Sequence, residues 1–211
     1  TIAAVYMNIP VAHIQSGDLS GHIDGSTRHA ITKLAHIHFP SCEDSAKRVE
    51  NMGEEPWRIH NVGAPQLDEV IHGPKLRAPL LAKKLNLNID EPIVVLLQHP
   101  VLSEFSETKD QMVETMEALK QAQVQTVVVY PNVDAGGQDI IDVVQRYEHL
   151  PFIMGFSNLD RQTFISLLTV SSIIIGNSSC GILEAPSFTL ATVNIGSRQR
   201  GRMQANNVIN V

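Results

Sequence analysis

Short apolar runs alternate along the chain with longer amphipathic stretches, a rhythm that predicts parallel strands joined by helices. In the first part the pattern predicts a strand over 11–14, a helix over 26–34 with Ser26 as its cap, and a strand over 36–39 ended by Pro40. A helix over 41–52 follows, with Ser41 as cap and Asp44 at the capping-box position, then a strand over 57–62 broken by Gly63-Ala64-Pro65. Residues 73–92, punctuated by Pro74, Pro79 and Pro92, read as a junction around a short Lys-rich helix over 80–85.

The alternation then restarts. It predicts strands over 93–97 and 125–130, one near Phe152, and strands over 172–175 and 191–195. Helices are expected over 106–121, 138–148 and 160–168, with a short one from Gly181. The second part, 79–211, is thus a nearly complete doubly wound domain, and 1–78 the later part of another. Thr1-Ile2-Ala3-Ala4 reads as the middle of a helix and Asn210-Val211 stops as abruptly, so the chain is expected to be a fragment of a longer protein.

Composition narrows the function classes. The chain is 211 residues long, 43% hydrophobic and 18% charged, which fits a globular protein and excludes disorder, collagen and coiled coil. No apolar run approaches the roughly 18 residues of a membrane helix. A net charge of −6 argues against nucleic acid as a partner, but leaves room for a small anion met by local positive charge. Cys42 and Cys180 form no disulfide framework or metal spacing and read as free cytosolic thiols. Nine histidines are scattered without a His-Glu-x-x-His pattern, so no metal is expected.

In open α/β sheets ligands bind outside the carboxyl ends of the strands, so polar clusters there carry the most functional weight. The segment Ile174 to Glu184 runs from a strand through Gly176-Asn177-Ser178-Ser179 into a helix start. That arrangement suits an anion, with Glu184 able to accept from ribose hydroxyls; an ordinary capped helix is the other reading. Directly after the last strand, Arg198, Arg200 and Arg202 suit a diphosphate, or a solvated surface run. His99, in Leu97-Gln98-His99-Pro100, can donate to phosphate or act as an acid, or be structural. Asn132, at another strand end, can face a ligand or serve a turn. Between His13 and His29, Asp18 and Asp24 are paired carboxylates of the kind proton transfer needs, or turn and capping residues.

Together, "IDGSTRHAITKLAH", "LQHPV", "PNVDAG", "IGNSSCG" and "NIGSRQRGR" resemble the hydrolysing UDP-N-acetylglucosamine 2-epimerases, which make N-acetylmannosamine or related sugars for sialic-acid-type biosynthesis. The resemblance runs in order along nearly the whole chain. It implies a two-domain fold like that of GT-B glycosyltransferases, with UDP in the cleft between two Rossmann-like halves. The family's opening segment, with basic phosphate contacts and one catalytic aspartate, has no counterpart here. By resemblance Ser178 and Ser179 contact the diphosphate, Glu184 the ribose and Arg198 a phosphate. His99 and Asn132 lie near the phosphates and sugar, Leu159 lines the uracil, and Asp24 is a catalytic carboxylate with Asp18 beside it. Gln15 departs from the pattern, since some relatives carry a catalytic Glu there and an amide is no base at neutral pH.

The implied reaction eliminates UDP to a glycal and then adds water with inversion at C2, without metal or redox cofactor. The implied setting is cytoplasmic, with a UDP-sugar as substrate and a homo-oligomer (dimer or tetramer) as assembly. Two other functions remain in view: a GT-B glycosyltransferase using a UDP-sugar, which would leave the Asp18/Asp24 loop without a role, and a catalytically silent nucleotide-sugar binding protein, motivated by Gln15.

Overall fold

The computed structural model of the chain describes residues 1–19, 24–132 and 134–211. Its contacts divide into two compact units: 1–71 with 199–203, and 72–198 with 204–211. This division lies a few residues before the expected one at 78/79 and returns a short late segment to the first unit. Two hydrogen bonds account for the difference. Leu76 N–H donates to Ser166 Oγ at 2.8 Å, tying the junction to the second unit, and Arg202 Nε donates to the Leu19 carbonyl at 2.7 Å, tying 199–203 to the first.

The first unit contains α1 (Ile2–Tyr6), β1 (Ala12–Ile14), α2 (Asp24–Leu34), β2 (Ile37–Phe39), α3 (Glu43–Asn51) and α4 (Gln66–His72). β1 and β2 pair in parallel, with His13 opposite His38. The strand expected over 57–62 is absent. Pro56 fits the start of a 3-10 turn, Pro56–Arg58, and only Ile59 bridges back to His38. Arg58 instead donates to the carbonyls of His36 and Ala35, both at 2.6 Å. Nor does Ser41 cap α3: Cys42 holds the cap position without a side-chain bond, and Ser41 Oγ donates to Asp18.

The second unit runs α5 (Ala78–Leu85), β3 (Ile93–Leu97), α6 (Thr108–Ala122), β4 (Gln125–Val129), α7 (Gly137–Gln145), β5 (Ile153–Phe156), α8 (Arg161–Val170), β6 (Ile173–Gly176), α9 (Cys180–Leu183), β7 (Ala191–Asn194) and β8 (Val208–Asn210). Its six strands are all parallel in the order β5-β4-β3-β6-β7-β8. Counted within the unit this is 3-2-1-4-5-6, the Rossmann order, whose reversal falls between β3 and β6. Every residue of β3 is buried because both sheet faces are covered. Ile93, Val95 and Leu97 pack with Leu81, Leu167 and Ile174, whereas Val94 and Leu96 pack with Met112, Met116 and Val143. Both units are α/β, and the class is the GT-B-like one of Rossmann-type parallel sheets. Among the described residues, no helix is long and apolar enough to cross a membrane.

Candidate active site

A cavity of about 1050 Å³ opens at the carboxyl ends of β3, β4, β5 and β6, beside the point where strand order reverses. Its size reaches the upper end of the range for small-molecule sites, about 300–1,000 Å³. His99, Asn132, Leu159, Ser178, Ser179 and Glu184 all line it, so six of the residues expected at the nucleotide come together in one place. They lie up to 85 positions apart in sequence, and the parallel register of β3, β4 and β6 brings their strand ends to one edge.

The turn after β6 is built by Gly176. Its φ of +125° and a Cβ position only 2.2 Å from the Leu97 carbonyl oxygen exclude a side chain. The backbone N–H groups of Asn177 and Ser178 then donate to that carbonyl at 3.0 and 3.2 Å. Asn177 goes further: its Oδ1 accepts from His99 N–H at 2.7 Å and its Nδ2 donates to the His99 carbonyl at 2.8 Å. α9 is a single turn, and Ser179 at its cap position makes no side-chain capping bond. The expected dipole of a full helix is therefore reduced to local N–H groups and hydroxyls. Ser178 Oγ accepts from Cys180 N–H at 3.3 Å.

Burial holds the His99 imidazole neutral, with its pKa pushed down to about 4; Arg198 adds to that shift and Asp134 opposes it. Its Nδ1 is buried without a partner among the described residues. Arg198 is not among the cavity-lining residues. Its guanidinium donates to the Asn177 carbonyl at 3.2 Å, on the same turn that holds His99.

Three lining residues carry no signal that sequence reasoning used: Tyr130, Arg161 and Phe164. Arg161 forms an ion pair with Glu184 Oε2 at 3.0 Å. It opens α8, whose Asp160 cap accepts from Thr163 N–H at 2.9 Å. The switch-point rule, applied to the loop after β5 as well as to those after β3 and β6, would have found it. Tyr130 donates to Glu148.

The remaining expected residues belong to the first unit. Asp18 is buried, and its Oδ1 accepts from the hydroxyls of Ser41 (2.8 Å) and Ser45 (2.7 Å). Gly17 lets this loop approach α3, because a Cβ there would sit 2.2 Å from the Ser45 carbonyl oxygen. Gln15 adopts a left-handed φ of 57° and donates through Nε2 to Gln66 Oε1 at 2.8 Å. Asp24 opens α2; the expectation for its carboxylate, and those for Ser20 to Ile23 before it, lie outside the described residues. Among the described residues no group of three His, Cys, Asp or Glu side chains could hold a metal ion.

Comparison with known proteins gives this arrangement a family. The chain is 40% identical over 210 residues to a UDP-N,N'-diacetylbacillosamine 2-epimerase (hydrolyzing) of Legionella pneumophila, covering all of this chain and 56% of that protein. It is 33% identical to a GDP/UDP-N,N'-diacetylbacillosamine 2-epimerase (hydrolyzing) of Campylobacter jejuni, over 96% of this chain and 54% of the relative. The chain thus spans about half the length of the curated relatives it matches. In fold it matches the UDP-GlcNAc 2-epimerase of Methanocaldococcus jannaschii, solved with UDP-GlcNAc and UDP, with a TM-score of 0.78 at 14% identity, over 100% of this chain and 60% of that one. The family model for UDP-N-acetylglucosamine 2-epimerase matches residues 1–211, and the chain belongs to that family.

Proposed function

We propose that this chain is part of a hydrolysing 2-epimerase that converts UDP-N-acetylglucosamine, or a UDP-diacetamido sugar, to UDP and the free C2 epimer. The observation that carries this reading is the convergence of Ser178, Ser179, His99, Asn132 and Glu184 on one cavity beside the strand-order reversal. Donors for a diphosphate and an acceptor for ribose hydroxyls stand there together, as a nucleotide sugar requires. The names of the relatives favour a uridine nucleotide, and those of the two curated relatives a diacetamido sugar.

In the proposed reaction the C1–O bond to UDP breaks and its electron pair leaves with the diphosphate. Positive charge developing at C1 acidifies C2–H, and a carboxylate takes that proton as C1=C2 forms. Water then adds its oxygen to C1, and a proton returns to C2 from the opposite face. Asp24 is assigned the proton transfer, with Asp18 as its neighbouring carboxylate. Gln15 carries no proton. The Ser178-Ser179 turn and Arg198 offset charge on the departing diphosphate; loss of one such donor costs about 2.7–4 kcal/mol of barrier in comparable sites. His99, neutral in the free protein, gains a proton as the diphosphate arrives and donates to it. The reaction is redox-neutral and needs no cofactor. A cytoplasmic homo-oligomer belongs to the same proposal.

Incubating the full-length protein with each nucleotide sugar in water, with no acceptor added, tests the reading. NMR is expected to show UDP and one free epimer. A requirement for an acceptor would identify a glycosyltransferase instead. A second reading, a silent nucleotide-sugar binder, is favoured by the Gln15–Gln66 bond; UDP binding without turnover, with activity gained in Gln15→Glu, would establish it.

A further inference from the structure

Glu184 is a 14% exposed carboxylate with its two oxygens in different situations. Oε2 accepts from Arg161 Nη1 at 3.0 Å and lies 3.7 Å from the Cys180 thiol. Oε1 has no partner among the described residues, and the side chain lines the cavity. Arg161 is itself held in place. It is the first residue of α8, and the preceding Asp160 is fixed by Lys84 Nζ at 2.7 Å and by the backbone and hydroxyl of Thr163 at 2.9 and 2.7 Å. Two elements distant in sequence, α8 and α9, therefore meet through this one ion pair at the cavity wall.

From this geometry we infer that Arg161 is a positioning residue that makes Glu184 a ribose reader, so that the cavity selects ribonucleotides over deoxyribonucleotides. The inference rests on the nucleotide-binding reading above and adds a residue and a specificity to it. A carboxylate accepts well from a hydroxyl only when its plane is directed at that hydroxyl. The guanidinium fixes one oxygen with a directional, charge-assisted bond, which sets the plane and leaves the other oxygen for the sugar. Without Arg161 the carboxylate keeps its desolvation cost and loses its partner. It is then free to turn toward water, and a bound ribose gains little from it.

Calorimetric titration of the full chain with UDP and with 2′,3′-dideoxy-UDP separates positioning from general damage. The wild-type protein is expected to prefer UDP by about tenfold or more, as for a hydrogen bond to a charged group. Arg161→Ala should bring that ratio below about threefold while leaving dideoxy-UDP affinity unchanged, matching Glu184→Ala. Arg161→Lys, which supplies the charge without the planar fork, should give an intermediate ratio. Should the alanine variant not fold, Arg161→Met keeps the aliphatic stem and gives the same comparison. An unchanged ratio in the alanine or methionine variant overturns the inference, as does a loss that falls equally on both nucleotides. No UDP binding by the wild-type chain overturns the nucleotide reading itself, and this inference with it.

Discussion

The side-chain amide of Asn177 closes a two-bond ring on the backbone of His99, accepting from its N–H at 2.7 Å and donating to its carbonyl at 2.8 Å. The residue after β6 thereby sets the position of the residue after β3, across the point where strand order reverses. Asn177→Ala leaves both backbone groups of His99 without a side-chain partner. Denaturant unfolding should show a loss of about 2–4 kcal/mol, from two buried groups at about 1–3 kcal/mol each. UDP affinity should fall with it.

Gly176 makes that ring possible. Gly176→Ala places a methyl group at a φ of +125° and 2.2 Å from the Leu97 carbonyl oxygen. Destabilisation of more than about 2 kcal/mol is expected from strain of this kind, read by thermal or urea unfolding.

Asp18 separates stability from chemistry. Asp18→Ala removes the acceptor of the Ser41 and Ser45 hydroxyls and should cost about 2–3 kcal/mol, since both donors lose a charged partner. Asp18→Asn keeps an acceptor oxygen and should stay within about 1 kcal/mol of wild type. If Asp18 assists proton transfer as proposed, the asparagine variant nevertheless loses at least about a hundredfold in turnover.

Two histidines predict the acid limb of the stability profile. Burial pushes His13 and His99 down to about 4, against an ordinary value near 6.5. Between those values the unfolded chain binds protons that the folded chain does not, so stability rises with pH across this window and is lost as pH falls through it. Each histidine contributes a slope of up to about 1.4 kcal/mol per pH unit. Urea unfolding from pH 7 to pH 4 should show that slope flatten in His99→Gln. Calorimetry of UDP binding near pH 6 in buffers of different ionisation heat should show proton uptake, and the same variant should abolish it.

The parts of the fold legible in the sequence are those whose pattern has one physical cause. β3 reads as a continuous apolar run because both faces are covered, and the residues after β3 and β6 stand out because small and polar types follow such runs. Trp57 to Val62 carried a similar local signal but belongs to a turn, because Pro56 suits its first position and Arg58 is used by backbone carbonyls. β8 was invisible: it is short, lies at the sheet edge, and its Asn210 is held by Asn194 rather than by apolar contacts. α4, following Ala64-Pro65, was hidden in what read as a break before the junction. Arg161 and Tyr130 could not be assigned from local pattern, because each matters through a partner 18 or more positions away.

The account's central claim is that UDP leaves by elimination and that C2 is reprotonated from solvent. Running the full-length protein on its UDP-sugar in D2O, without acceptor, reads this directly. One deuterium at C2 of the free, inverted sugar, formed together with UDP, is the predicted result. A product that keeps its original hydrogen at C2, or no product until an acceptor is supplied, would contradict it.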